Sequence, residues 1–456
     1  MATISDYIGK SATDNVNKAI DAAEKSYEYH AGLSLTRERA LERAAKVDSG
    51  EITGRLAGVP FVAKDNFLAF GAPTTAASKF LEHFNAPLQA TAIEKLEAEG
   101  AICIGKTNLD AFAHGGSTEN SAFGPTLNAA DKTRVAGGSS GGSAVATALG
   151  AVPFAIGTDT GGSIRQPASF NGVVGVKPTY GTVSRYGVVA MASSTDTIGC
   201  FASNASDAEL VMDIMAGIDE NDATTLPDFF APTDVKASQK IGVIKEFMTT
   251  DVDADVRART NDYIEKLKAA GHTIEEVSLP ILKYALAMYY IIVPAEISSN
   301  LARYDGIRYG ARAESGSLSE LYGKSRDQCF MAENKRRIMI GSYVLSSGYF
   351  DAFYLQAQKA RTLMINEFNE LFETYDVLIG PVSPTPAFKL GENTADPVKM
   401  YLADIMTVPA SLAGLPAISV PGGATSDGLP VGVQLIGQRR SDAQLLALAK
   451  SLEGAN

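Results

Sequence analysis

Two short runs of glycine and serine lie close together in the chain. The first is Gly137-Gly138-Ser139-Ser140-Gly141-Gly142-Ser143. The second is Thr158-Asp159-Thr160-Gly161-Gly162-Ser163, which leads into Ile164-Arg165-Gln166-Pro167. A serine hydroxyl can act as a nucleophile or carry a proton. Glycine lets the backbone approach a substrate and aim N–H groups at it. Together these residue types suit attack on a carbonyl whose oxygen gathers negative charge. The plain alternative is a pair of connecting loops. An apolar helix-and-strand stretch joins the two runs, which argues for one site.

A serine nucleophile needs a base. The sequence holds four histidines, His30, His83, His114 and His272, and only His272 follows the serines. Gly137 to Gly141 matches the G-x-S-x-G nucleophile elbow, but residues 128–135 upstream are too polar for the buried strand that motif requires. A Ser-His-Asp triad is therefore poorly supported. Lysine can serve instead if burial keeps it neutral. Lys64 ends the apolar run Val59-Pro60-Phe61-Val62-Ala63, where partial burial fits. Its ordinary alternative is a strand-end lysine paired with Asp65. Gly100 to Thr107 spells a phosphate loop letter for letter, G-x-x-x-x-G-K-[ST]. Its context is wrong, because a helix precedes Gly100 and Ala101 to Ile104 reads as the strand itself.

The elements that must position these residues follow from periodicity. Apolar runs suggest strands at residues 56–63, 101–104, 153–156, 173–176, 241–244, 272–277, 377–380, 417–420 and 431–435. Amphipathic patterns suggest helices over much of residues 5–48, and at 90–99, 142–149, 253–270 and 442–452. Ser206-Asp207-Ala208-Glu209 reads as a capping box opening a helix through Ala216. Residues 279–372 read as almost wholly helical. Alternating strands and helices indicate an α/β fold with a mixed central sheet. No linker marks a boundary, so one domain over residues 1–456 is expected, with a catalytic core at about 50–230 and a helical pocket region at about 279–372.

The chain has 456 residues, 45% hydrophobic and 20% charged, so it can bury a large core. Its net charge of −12 makes it a poor nucleic-acid binder on its own. Cys103, Cys200 and Cys329 are widely spaced, which argues against a disulfide framework and a zinc site. The N-terminus lacks a signal-peptide pattern, and the longest apolar stretch, around Ala144 to Ile156, is too short to span a membrane. A cytoplasmic protein with no membrane association is expected.

Lys64, the run from Gly137 to Ser143, and Gly161-Gly162-Ser163-Ile164-Arg165 together resemble the amidase signature family, over nearly the whole chain. The resemblance implies a mixed central sheet covered by helices on both faces. It implies that Ser163 is the nucleophile, Ser139 a bridging serine after a cis peptide bond, and Lys64 the base. The amides of Thr160, Gly161 and Gly162, on to Ser163, would form the oxyanion hole. Residues 296–310, 335–341, 347–354 and 400–409 are similar to the glutaminase branch of the family, which supplies ammonia to tRNA-dependent amidotransferases. By that resemblance the substrate is glutamine, with Arg337 holding its α-carboxylate, Asp404 its α-ammonium, and Tyr289 a further pocket contact. His114 and Ala410-Ser411 depart from the usual pattern of that branch. The implied partners are the B and C subunits of an amidotransferase heterotrimer. The B subunit would bind the tRNA, and the complex would use ATP and Mg²⁺. No cofactor or metal is implied for this chain itself. Glu-tRNA(Gln) is the implied acceptor, with Asp-tRNA(Asn) left open. The alternatives are a stand-alone amidase for small apolar or aromatic amides, and a scaffold with a decayed site. The intact lysine and serines argue against the scaffold.

Overall fold

The computed structural model describes residues 1–227 and 229–453. Strand periodicity explains how both faces of its sheet become apolar. Phe61, Ala63, Cys103, Phe154 and Ile156 share one core cluster, whereas Val62, Ile102, Ile104 and Ala155 belong to another. Successive strand residues point to opposite faces, so these short, fully buried strands feed two cores at once. Such strands read as continuous apolar runs, and both faces must be covered.

Among the described residues, eleven strands form one sheet: β1 Gly32–Leu35, β2 Pro60–Lys64, β3 Ile102–Thr107, β4 Phe154–Asp159, β5 Val174–Lys177, β6 Thr197–Ala202, β7 Lys240–Ile244, β8 Thr273–Val277, β9 Val377–Pro381, β10 Ala417–Ala424 and β11 Pro430–Gly437. Their order is β1-β3-β2-β4-β6-β5-β10-β11-β9-β7-β8. β2 runs parallel to β3 and β4, and β7 runs parallel to β8 and β9. The other neighbours are antiparallel. The sheet is thus mixed, as the sequence suggests, and helices pack on both of its faces. Six helices concern the site: α1 Gly141–Ala148, α2 Arg165–Asn171, α3 Ala285–Asn300, α4 Ala332–Val344, α5 Leu355–Phe372 and α6 Val408–Leu412.

Two strands escape the sequence reading. β1 falls in a stretch read as helical. It exists because Gly32 to Leu35 pairs with the edge of β3, and Thr36 locks the exit by donating through Oγ1 to the Cys103 carbonyl at 2.7 Å. β6 is buried along its whole length, so it shows no alternation. The proposed capping box is also displaced. Asn204 is the cap, accepting from Asp207 N at 2.7 Å, and Ser206 lies inside the helix Ala205–Met215. Asparagine caps as well as serine does. The region 279–372 is interrupted by non-helical chain between Tyr304 and Ser317. The continuous helical stretch Pro280–Arg303 exceeds the apolar run at Ala144 to Ile156. Among the described residues it is long and apolar enough to cross a membrane, with half of its apolar window buried against the rest of the protein.

The phosphate-loop match dissolves in the fold. Gly105 and Lys106 lie inside β3, and Lys106 Nζ is 2.7 Å from Asp65 Oδ1 with both side chains fully buried. This ion pair also decides the fate of Lys64. Asp65 is already committed to Lys106 and Thr75, so the ordinary Lys64–Asp65 pair does not form.

Candidate active site

Lys64 closes β2 and points, by strand parity with Val62, to the sheet face that carries α1. Its Nζ is 2.7 Å from Ser139 Oγ and 2.8 Å from Thr158 Oγ1. Thr158 stands near the end of the parallel neighbour β4, whose Ile156 pairs with Ala63. Ser139 lies just before α1. The Gly138–Ser139 peptide bond is cis. Ser140 caps α1 and is pinned on both sides: its Oγ donates to the Thr158 carbonyl at 3.1 Å, and its N–H donates to the Ser163 carbonyl at 3.2 Å. Lys64, Ser139 and Ser163 are therefore gathered at the ends of β2 and β4, although 99 residues separate the outer two in sequence.

Burial pushes the Lys64 ammonium down to about 7, partly opposed by the charges of Asp110, Asp159 and Asp196. A buried amine that is neutral at ordinary pH has a lone pair free to accept the Ser139 proton. Asn66 Nδ2 donates to Thr158 Oγ1 at 3.2 Å, which helps hold that hydroxyl beside Lys64.

The loop from Asp159 to Ser163 is fixed from several directions. Arg165 is fully buried and satisfied. It meets Asp159 through Nε at 3.0 Å and NH2 at 2.8 Å. It also reaches the Thr407 carbonyl, Gln434 and Ser411. Thr160 Oγ1 donates to Asp196 at 2.7 Å. Thr407 Oγ1 donates to the Gly161 carbonyl at 2.6 Å. Among the described residues, the amides of Gly161, Gly162 and Ser163 form no hydrogen bond to a protein acceptor. That leaves them available to an oxyanion. At Gly161 a Cβ would lie 2.6 Å from Tyr289 Cζ and Oη. Gly162 has φ +147°, and a Cβ there would collide with Thr407 Oγ1. Gly162→Ala is expected to lower kcat roughly 100-fold, as loss of one oxyanion donor does. Steady-state kinetics checks this, with KM changing far less than kcat.

A cavity of about 190 Å³ is bordered by Asp110, Gly115, Gly116, Tyr290, Arg337, Tyr401 and Asp404 among others. Arg337 is 3% exposed, and its guanidinium lies over the rings of Tyr290 at 5.3 Å and Tyr401 at 5.6 Å. Its Nε donates to Glu333 Oε1 at 2.8 Å. Glu333 also pairs with Arg336, so the cluster keeps a net positive charge. Asp404 lies in reach of Gln166 Nε2 at 3.4 Å, and Gln166 Oε1 accepts from Gly138 N at 2.9 Å. One side chain thus links the cavity to the residue before Ser139. Burial pushes the Asp404 carboxyl up to about 8, with Asp159 and Asp110 adding to the rise and Arg337 opposing it.

Arg337 and Asp404 share the cavity wall. Tyr289 instead packs on the Gly161 backbone, and its neighbour Tyr290 lines the cavity between Arg337 and Tyr401. Asp159, Arg165 and Gln166 brace the loop. Sequence reasoning missed Thr158, Glu333, Tyr290 and Tyr401. Glu333 was the most discoverable, because Glu at i and Arg at i+4 face each other on a helix. The G-x-S-x-G match has no strand before Gly137. His272 is engaged elsewhere, accepting from Gln239 N at 3.1 Å through Nδ1. Among the described residues, no group of three or more His, Cys, Asp or Glu side chains is placed to hold a metal ion.

Residues 14–446 match the family model Amidase. The chain belongs to the amidase family. Other amidases and their relatives share its sequence and fold over nearly the whole length. It is 52% identical to the A subunit of glutamyl-tRNA(Gln) amidotransferase from Thermosynechococcus vestitus, covering 97% of this chain and 94% of that protein. It is 40% identical to the crystal structure of the A subunit of glutamyl-tRNA(Gln) amidotransferase from Thermotoga maritima, with TM-score 0.83, covering 99% of this chain and 94% of that one. A bacterial aryl acylamidase of the amidase signature family is 25% identical with TM-score 0.86, covering 100% of this chain and 96% of that one.

Proposed function

We propose that this amidase is the glutamine-hydrolysing subunit of a glutamyl-tRNA(Gln) amidotransferase. The observation that carries the reading is that Arg337 and Asp404 border one cavity, which Gln166 links to Gly138, the residue before Ser139. A buried cation and an acid suit the two ends of an α-amino acid, and guanidinium binds carboxylate well. The roughly 50% identical relatives named for that role support the same reading.

The chemistry follows from the residues. Neutral Lys64 takes the Ser139 proton while Ser139 takes the proton of Ser163. Ser163 Oγ forms a bond to the side-chain amide carbon of glutamine. The carbonyl oxygen becomes an oxyanion held by the amides of residues 160–163, Thr160, Gly161 and Gly162 among them. Collapse of this intermediate breaks the C–N bond. The proton returns through Ser139 to the departing nitrogen, and ammonia leaves. Water then attacks the ester carbon, and glutamate is released with Ser163 restored. Arg337 and Asp404 hold the α-carboxylate and α-ammonium throughout, and Tyr289 supports the loop at Gly161.

In this reading the ammonia converts Glu-tRNA(Gln) to Gln-tRNA(Gln), with Asp-tRNA(Asn) as a candidate second acceptor. The chain works as one part of a cytoplasmic heterotrimeric ligase with B- and C-type partners. The B-type partner contacts the tRNA, and the ATP and Mg²⁺ steps belong to the partners. The test is ammonia release from glutamine and from benzamide, by the chain alone and co-expressed with B- and C-type partners. Arg337→Ala and Asp404→Ala are expected to raise KM for glutamine roughly 100-fold, the loss of a charge-assisted contact, and to change KM for benzamide little. Preference for benzamide, unaffected by both substitutions, would instead make the chain a free amidase like its aryl acylamidase neighbour.

A further inference from the structure

His114 is fully buried, and its ring is half-satisfied. Asn334 fixes one side. Its Oδ1 accepts from Met331 N at 3.0 Å, so Nδ2 is the donor facing the Ala111 carbonyl at 2.8 Å and His114 Nδ1 at 2.8 Å. Nδ1 therefore accepts, and the ring proton sits on Nε2. Burial holds the imidazole well below its ordinary range, and the charge of Arg337 adds to this, so the ring is neutral. Nε2 has no hydrogen-bond partner among the described residues. A buried donor left unpaired costs stability, and a native protein keeps one for a reason.

The ring of His114 does not itself border the cavity, but the segment that carries it does. His114 immediately precedes Gly115 and Gly116, which border the cavity. Its carbonyl accepts from Asn120 Nδ2 at 2.9 Å, and Asn120 borders the same cavity. Its ring partner Asn334 stands on α4 between Glu333 and Arg337, both cavity residues. A Cβ at Gly116 would lie 3.3 Å from Asp404 Oδ2, so this segment also touches the anionic side of the site.

We propose that His114 Nε2–H donates to the α-carboxylate of the bound substrate beside Arg337, and so selects amino-acid amides over plain ones. This rests on the glutamine reading above. A neutral donor adds discrimination without adding charge to a cavity that already holds Arg336 and Arg337. A hydrogen-bonding site rejects an analogue that lacks its partner group, because the donor is then left unpaired.

The test compares glutamine with 4-aminobutanamide, which keeps the amine and the amide but lacks the carboxylate. The full chain is used with its co-expressed partners. His114→Met removes the donor and keeps a side chain of similar bulk. Its KM for glutamine is expected to rise roughly tenfold or more relative to its KM for 4-aminobutanamide, the range for a bond to a charged group. His114→Gln, which returns an N–H, should recover most of that selectivity. A second measurement leaves His114 in place. In Ser163→Ala protein carrying ¹⁵N-histidine, the Nε2–H resonance of His114 should move downfield with glutamine and stay put with 4-aminobutanamide. Equal KM changes for both substrates, or a resonance indifferent to glutamine, would overturn the assignment and point to a buried water as the partner. If wild-type protein does not distinguish the two amides at all, the zwitterion pocket itself fails, and this inference with it.

Discussion

Ser163→Ala is expected to abolish ammonia release from glutamine, lowering kcat by roughly four orders of magnitude or more, as removal of a nucleophile does elsewhere. The fold should survive. Ser163 is 7% exposed, and its hydroxyl makes no protein hydrogen bond among the described residues. Alanine therefore removes one oxygen without leaving a buried group unpaired, so stability should shift by about 0.5 kcal/mol or less. Ser139→Ala behaves differently. It also removes activity, but it takes from buried Lys64 one of its two close side-chain partners. A lower thermal midpoint for Ser139→Ala than for Ser163→Ala, with both inactive, separates the bridging role from the nucleophilic one. Residual activity of Ser163→Ala above roughly a hundredth of wild type contradicts the nucleophile assignment.

The second large effect concerns Lys64. A lysine base must be neutral, and burial pushes Lys64 down to about 7. The kcat for glutamine should therefore be low in acid, rise with pH through about 7, and level above it. Lys64→Ala should cost roughly three orders of magnitude or more, because the Ser139 proton would then have no amine to receive it and return it. Lys64→Arg should not rescue, since guanidinium stays charged. Asp404 adds a second limb to kcat/KM. Burial pushes its carboxyl up to about 8, and it must be ionised to hold an ammonium. So kcat/KM should keep rising to about 8, after kcat has levelled. Stability carries the same sign: between about 7 and the ordinary lysine range the unfolded chain binds more protons than the native one, so the Lys64 contribution to stability increases with pH across that window. A kcat that falls as pH rises from about 6 to about 8 would rule out a neutral lysine base.

The candidate serines were legible in sequence because the runs that hold them are short and local. Gly161-Gly162-Ser163 and the run from Gly137 to Ser143 carry residue types with few other uses in such density. Nothing local, however, separates Lys64 from Lys106 as the candidate base. Both end or occupy buried strands, and the difference lies in which lysine Asp65 selects across the β2–β3 pair. Most strands were readable as apolar runs. β1 was not, because four residues on a sheet edge owe their shape to β3 rather than to their own propensity. The cavity was half legible. Arg337 and Asp404 could be named through family resemblance, while Tyr290 and Tyr401 come together with Arg337 only when α3, α4 and the segment before α6 pack. For the same reason the step from Tyr289 to Tyr290 is invisible in sequence: adjacent helix positions face different walls, one toward Gly161 and one toward the cavity.

The most direct test of Ser163 as the nucleophile is to catch the acyl-enzyme. The full chain with its partners is mixed with glutamine, quenched in acid within the first turnover, digested and examined by mass spectrometry. The expected result is one γ-glutamyl ester, on the peptide that contains Ser163, absent from Ser163→Ala and present at reduced yield in Arg337→Ala. An adduct on Ser139 or Ser140, or ammonia release with no adduct on Ser163, would contradict it.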